Sequence, residues 1–182
     1  IDNRIPRSVL GSLGGRAELR GGGAAGERTA AALLEGGAGG LNWHADAARR
    51  TSSDLRTPAF QPDADGQAGP RSTRVANSDG SSRSGAVGAS WADAQGFAGL
   101  ALDGLRNDYG VTVDPEVRIR LQRDRLQLAG ERRGLAAAGG WIDSVDWQAS
   151  RTRYQHQEVE GDGAVGTTFR STGDALRLQA TQ

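Results

Sequence analysis

Residues Arg153 to Asp174 read RYQHQEVEGDGAVGTTFRSTGD. The first half alternates residue types with a period of two, breaks at the acidic, glycine-containing EGDG, and then alternates again. Period two is the mark of a strand, because successive side chains point to opposite faces of a sheet. Two such runs around EGDG predict a β-hairpin, in which the glycines supply the positive backbone angles of a tight turn. The hairpin is long and polar on both faces towards its tip, which an ordinary soluble sheet with one buried face does not require.

The same pattern extends outward through the chain. Strands are predicted at Arg16–Gly22, Glu27–Glu35, Gly40–Arg49, Ser84–Trp91, Gly96–Arg106, Val117–Arg132, Trp141–Val159 and Val165–Ala180, about eight in all. Helical periodicity is poor, and glycines interrupt most windows where it might be sought. The connections alternate between two kinds. GGAGG (Gly36–Gly40), ADAQ (Ala92–Gln95) and GLAAAGG (Gly134–Gly140) are short and small, whereas Thr51–Arg83 and Asn107–Glu116 are longer and polar. Short turns at one end and longer loops at the other predict an all-β, antiparallel up-and-down meander with the anatomy of an open segment of a transmembrane β-barrel.

Composition points the same way. Of 182 residues only 36 % are hydrophobic and 5 % aromatic, and 28 are glycine, so a packed soluble core would be thin. The 22 basic and 22 acidic residues cancel, which argues against nucleic acid as a partner. Every basic residue is arginine. The absence of cysteine excludes disulfides and thiol chemistry. There is no methionine, and the chain opens on Ile1 without a signal-peptide pattern, so the sequence is expected to be a piece of a longer chain. No apolar run approaches the roughly 18 residues of a membrane-spanning helix, a test that barrel strands escape by alternating.

Aromatic residues segregate along this meander. Trp43, Trp91, Phe97, Trp141 and Trp147 fall near the short turns, and Phe60, Tyr109, Tyr154 and Phe169 towards the other end. Barrels carry such girdles at their two membrane interfaces. Parity assigns the faces. Leu41, Trp43, Ala45 and Ala47 oppose Asn42, His44 and Asp46; Val145, Trp147 and Ala149 oppose Asp146, Gln148 and Ser150; Ala98, Leu100 and Leu102 oppose Phe97, Gly99, Ala101 and Asp103. The apolar sets are expected to face lipid and the polar sets the lumen. Parity breaks in the strand after Val117, where Val117, Ile119 and Leu121 are odd but Leu126 and Leu128 even, so a bulge near Arg123–Arg125 is expected.

IDNRIPRS at the start, RNDYGV ending at Val111, and above all YQHQEVEGDGAVGTTFRSTG resemble the TonB-dependent receptors of Gram-negative outer membranes. In that family an N-terminal plug fills a barrel of about 22 strands, and the TonB energy-transducing complex acts through the plug. The resemblance implies that residues 1–15 are the end of the plug and its linker, and that residues 16–182 are part of the barrel. It implies a location in the cell outer membrane, contact with lipopolysaccharide and outer-membrane lipid, and import of a scarce nutrient such as a metal, metal chelate or siderophore. Strands that continue past the bilayer need no apolar face, which accounts for the polar hairpin.

Few residues carry candidate chemistry. His156, Glu158 and Glu160 form H-x-E-x-E, which on a strand sets N and O ligands on one face and suits zinc or another divalent ion as the transported ligand. The plain structural reading of the same residues is a solvated strand end. Asp103, Arg106, Asp108, Tyr154 and His156 are candidate ligand contacts at the lumen and external rim. Arg123, Asp124 and Arg125 are expected to form a lumen ion-pair network, and Arg151 to snorkel towards lipid phosphates. No enzymatic step and no resident cofactor is expected: GGGAAG at Gly21–Gly26 lacks the lysine of a phosphate loop, and two histidines make no convincing triad. The competing reading is a small non-transporting outer-membrane or surface β-protein with a structural or adhesive role.

Overall fold

The computed structural model describes residues 4–64, 66–136 and 141–182. Alternation becomes strand along nearly the whole chain: β1 (Gly14–Gly22), β2 (Glu27–Ala38), β3 (Leu41–Ser52), β4 (Arg56–Phe60), β5 (Asp63–Ala64), β6 (Gln67–Ala68), β7 (Ser72–Arg74), β8 (Gly80–Asp93), β9 (Gly96–Val111), β10 (Asp114–Arg132), β11 (Ser144–Val159) and β12 (Val165–Thr181). Eight of these form one antiparallel sheet in the order β1-β2-β3-β8-β9-β10-β11-β12. The sheet is an open meander: β1 pairs only with β2 and β12 only with β11, so it is not closed into a barrel. The four short strands β4 to β7 form two small ladders inside the connection from β3 to β8.

The two ends differ as the connections predict. At the turn end, Ala38 pairs with Leu41 across Gly39 and Gly40, whose φ angles of 58° and 92° suit a two-residue hairpin. Ala94 and Gln95 make an equally short link from β8 to β9. The GLAAAGG connection lies partly outside the described residues. At the loop end, the EGDG tip closes with the Gly163 amide donating to Glu160 O at 2.8 Å, and Gly163 has a φ of 86°.

Two expectations are corrected here. Asn107–Glu116 is not a long loop: β9 runs through Val111 and β10 starts at Asp114, leaving a two-residue turn. The expected bulge near Arg123–Arg125 is absent, since pairing runs unbroken from Arg118 to Arg132 on both sides of β10. The irregularity lies earlier, between Asp114 and Arg118. No parity repair is needed because Ile119 and Leu121 lie on one face of the sheet while Leu126 and Leu128 lie on the other.

Those faces differ. Residues 4–10 lie across one of them, here the covered face, and among the described residues the other is open. Ile5 packs there with Ala92, Phe97, Ala101 and Ala129. Ser90 Oγ donates to Pro6 O at 2.5 Å, and Asn42 Oδ1 accepts the Leu10 amide at 2.6 Å. Glycine makes the close approach possible: a Cβ on Gly99 would stand 2.6 Å from the Ile5 side chain, and one on Gly88 would collide with the Arg4 carbonyl.

On the open face the strands align into cross-strand rows. Leu41, Trp91, Ala98, Gly130, Trp147 and Leu178 form one row, and Trp43, Ala89, Leu100, Leu128, Ala149 and Leu176 the next towards the loop end. Trp91, Leu100, Leu102, Leu176 and Leu178 are exposed. Trp43 and Trp91 therefore sit at the same end of the sheet, with the β3–β8 connection and EGDG at the other.

Candidate functional site

Asp103 organises the turn half of the covered face. Strand parity places it beside Ala86 and Arg125, and its side chain is 1 % exposed. Arg123 Nη2 donates to its Oδ1 at 2.9 Å and Arg125 Nε to its Oδ2 at 2.7 Å. Arg4 reaches in from the covering segment, 3.4 Å from Asp103 and 3.5 Å from Asp46. Asp46 in turn holds the buried His44, whose Nε2 lies 2.9 Å from Asp46 and whose Nδ1 lies 2.9 Å from Glu35. A neutral ring donates to one of these carboxylates and the two-proton form to both. Three carboxylates thus face three guanidiniums through one imidazole, and the network ties residues 4–10 to β2, β3, β9 and β10.

The loop half of the same face is different in kind. Row neighbours there are Leu121, His156 and Phe169, with Ile119, Tyr109 and Glu158 one step further out. Tyr154 Oη and His156 Nδ1 are 3.0 Å apart, and the His156 ring lies 4.5 Å from the Phe169 ring, tilted by 34°. Phe169 and Tyr109 are exposed. The result is an accessible aromatic wall with a polar ring at its centre, suited to an organic ligand that has both a π face and hydrogen-bonding groups.

The sequence-predicted residues do not all converge. Asp103, Tyr154, His156 and Glu158 share the covered face. Arg106 and Asp108 lie on the open face: they are three and five residues from Asp103, and odd spacing reverses the side. Arg106 pairs with Asp124 at 2.9 Å, and Asp108 with Arg118 at 2.8 Å and Arg120 at 3.3 Å. Arg118 also binds Asp79 at 2.8 Å; these carboxylates, Asp79 first, push its guanidinium further towards the charged form. The triplet Arg123, Asp124, Arg125 is therefore not one network, since its ends join Asp103 and its centre Arg106. Glu160 lies one residue beyond β11. Among the described residues no group of three or more His, Cys, Asp or Glu side chains is gathered to hold a metal ion, so H-x-E-x-E does not make a metal cluster.

The ion network was partly visible beforehand. LNWHADA places Asn42, His44 and Asp46 on one face, but nothing in its spacing says that Arg4 folds back onto it. No known family model matches the chain, and no curated protein matches it.

Proposed function

We propose that the chain is part of an outer-membrane receptor barrel of the TonB-dependent kind, which takes up a scarce nutrient and imports it to the periplasm without a chemical step. The observation that carries this reading is the open face. Two to four outward apolar residues per strand, with Trp43, Trp91 and Trp147 near the turn end, form a band that nothing in the described residues covers. Seven residues of strand span roughly 20 Å, close to the ~25 Å apolar band of outer-membrane barrels. A water-soluble monomer would not leave so large an apolar surface exposed. The free edges of β1 and β12 call for further strands, as a larger barrel would supply.

On this reading residues 4–10 are the linker from a plug, laid along the barrel's inner wall, and the TonB complex would act through what precedes them. The aromatic wall at Tyr154, His156 and Phe169 faces the lumen at its outer mouth. It suits a metal chelate or siderophore better than a bare zinc ion, since His156 engages Tyr154 and no carboxylate pair joins it.

Tryptophan quenching by brominated lipids tests the reading. The chain folded into brominated-lipid vesicles is expected to lose most of the emission of Trp43, Trp91 and Trp147. A chain that folds as an unquenched monomer in lipid-free buffer would rule out the membrane assignment and favour a soluble surface β-protein.

A further inference from the structure

The open face carries a second feature just beyond its apolar rows. Val87, Leu102 and Leu126 end the apolar band, and in the next row Gly85 faces Gly104, so β8 and β9 present bare backbone there between Ala47 of β3 and Asp124 of β10. The depression has a volume of about 660 Å³ and is bordered by Arg151 and Arg153. One row further, Arg49 stands opposite Arg83, and Arg83 opposite Arg106. Like charges directly opposite on adjacent strands repel. Arg106 is compensated by Asp124. Arg49 and Arg83 are exposed and, among the described residues, neither has a hydrogen-bond or ion-pair partner. Nearest to them on this face are Ala47, Thr51, Ser81, Gly85, Arg106 and Asp108, and the one carboxylate among these, Asp108, is already engaged by Arg118 and Arg120.

We propose that Arg49 and Arg83 bind the headgroup phosphate of an anionic lipid whose acyl chains lie along Val87, Leu102 and Leu126. Two arginines at directly opposite positions, neither with a counterion, suit a phosphate, which can accept from both at once. The order along the strand is the order within a lipid: apolar rows for the chains, bare backbone at Gly85 and Gly104 for the glycerol region, then paired arginines for the phosphate. A free anion would use the arginines but gain nothing from the leucines below. The proposal rests on the membrane reading above and specifies its lipid partner.

Native mass spectrometry of the chain released from neutral-detergent micelles is the test, with micelles doped with phosphatidylglycerol or with phosphatidylcholine. Phosphatidylglycerol adducts are expected on the wild type and few phosphatidylcholine adducts. Each basic residue near an anionic lipid surface contributes roughly fivefold to affinity, so Arg49→Gln/Arg83→Gln is expected to weaken binding roughly 25-fold. The same double variant should melt at the same or higher temperature in lipid-free micelles, because it removes a repulsive pair. Should it fail to fold, the single variants Arg49→Gln and Arg83→Gln decide, each with a roughly fivefold loss. Unchanged phosphatidylglycerol binding, equal binding of phosphatidylcholine, or equal stabilisation by inorganic phosphate would overturn the proposal. Failure of brominated-lipid quenching would instead sink the membrane reading itself, so the two failures are separable.

Discussion

Two aspartates at adjacent positions of the ladder between β9 and β10, each paired with arginine, set the covered and open faces of the sheet against each other. Asp103 points to the covered face, 1 % exposed, and is shared by Arg4, Arg123 and Arg125. Asp124 points to the open face, where it pairs with Arg106 and is 48 % exposed. The residue types are the same and the strands are the same. What differs is the layer above them: residues 4–10 cover the first pair and nothing in the described chain covers the second. A charge pair in this sheet becomes structural only where another segment removes it from solvent.

The largest expected effect tests that contrast. Removing one partner of a buried pair leaves uncompensated charge and typically costs about 3–5 kcal/mol. Asp103→Ala is expected to lose an amount of that order in urea unfolding of the micelle-bound chain, and to release residues 4–10 to protease. Asp124→Ala, an exposed pair, should cost no more than about 1 kcal/mol. Equal losses at the two positions would mean that the covering segment does not set the energetics.

The same contrast explains which features were legible in the sequence. Alternation and turn chemistry are local, so the eight long strands, the Gly39–Gly40 turn and the facing of Leu41–Ala47 follow from neighbouring residues alone. The expected bulge near Arg123 rests on an assumption that one face of β10 is apolar throughout. Instead the face that is apolar near Leu126 and Leu128 becomes charged at Arg118, Arg120 and Asp124, while Ile119 and Leu121 appear on the opposite side. Polarity inverts along the strand without any change of register, because the surroundings change and the backbone does not. Of the candidate site, Tyr154 and His156 were readable from hairpin parity. Arg4 was not, because its partners Asp46 and Asp103 lie 42 and 99 residues away and their meeting depends on how the N-terminal segment crosses the sheet.

A smaller effect sharpens the reading of the open face. Trp147 lies over Gly130 of the neighbouring strand, so close that a Cβ there would stand 2.6 Å from the indole. Trp43 lies similarly over Gly36, with 3.0 Å available. Aromatic cover of a strand glycine compensates for the side chain it lacks. Gly130→Ala is expected to push the indole outward at an overpacking cost of about 1–3 kcal/mol. In a background retaining only Trp147, brominated-lipid quenching should rise as the ring moves towards lipid. A ring that shifts with no change in quenching would place this row away from the bilayer.

The smallest effect lies at the β8–β9 turn, clear of both faces. The Gln95 amide donates to Asp93 Oδ1 at 2.7 Å, and Arg132 approaches Oδ2 at 3.2 Å. These contacts, the backbone amide first, hold the Asp93 carboxyl below its ordinary value of 3.8. A carboxyl depressed on folding stabilises the folded state above its unfolded value and loses that contribution as pH falls through the lowered folded value. Asp93 lies at the surface, about half exposed, so the expected consequence is local: the turn loosens in acid while the network at Asp103, which contains no part of this turn, stays intact. An NMR titration of the Gln95 amide in micelles should follow a single proton with a midpoint below 3.8, and Asp93→Asn should abolish the titration. A midpoint at or above that value would show that the turn does not hold the carboxylate, and that the hydrogen bond to Gln95 forms without favouring its charge.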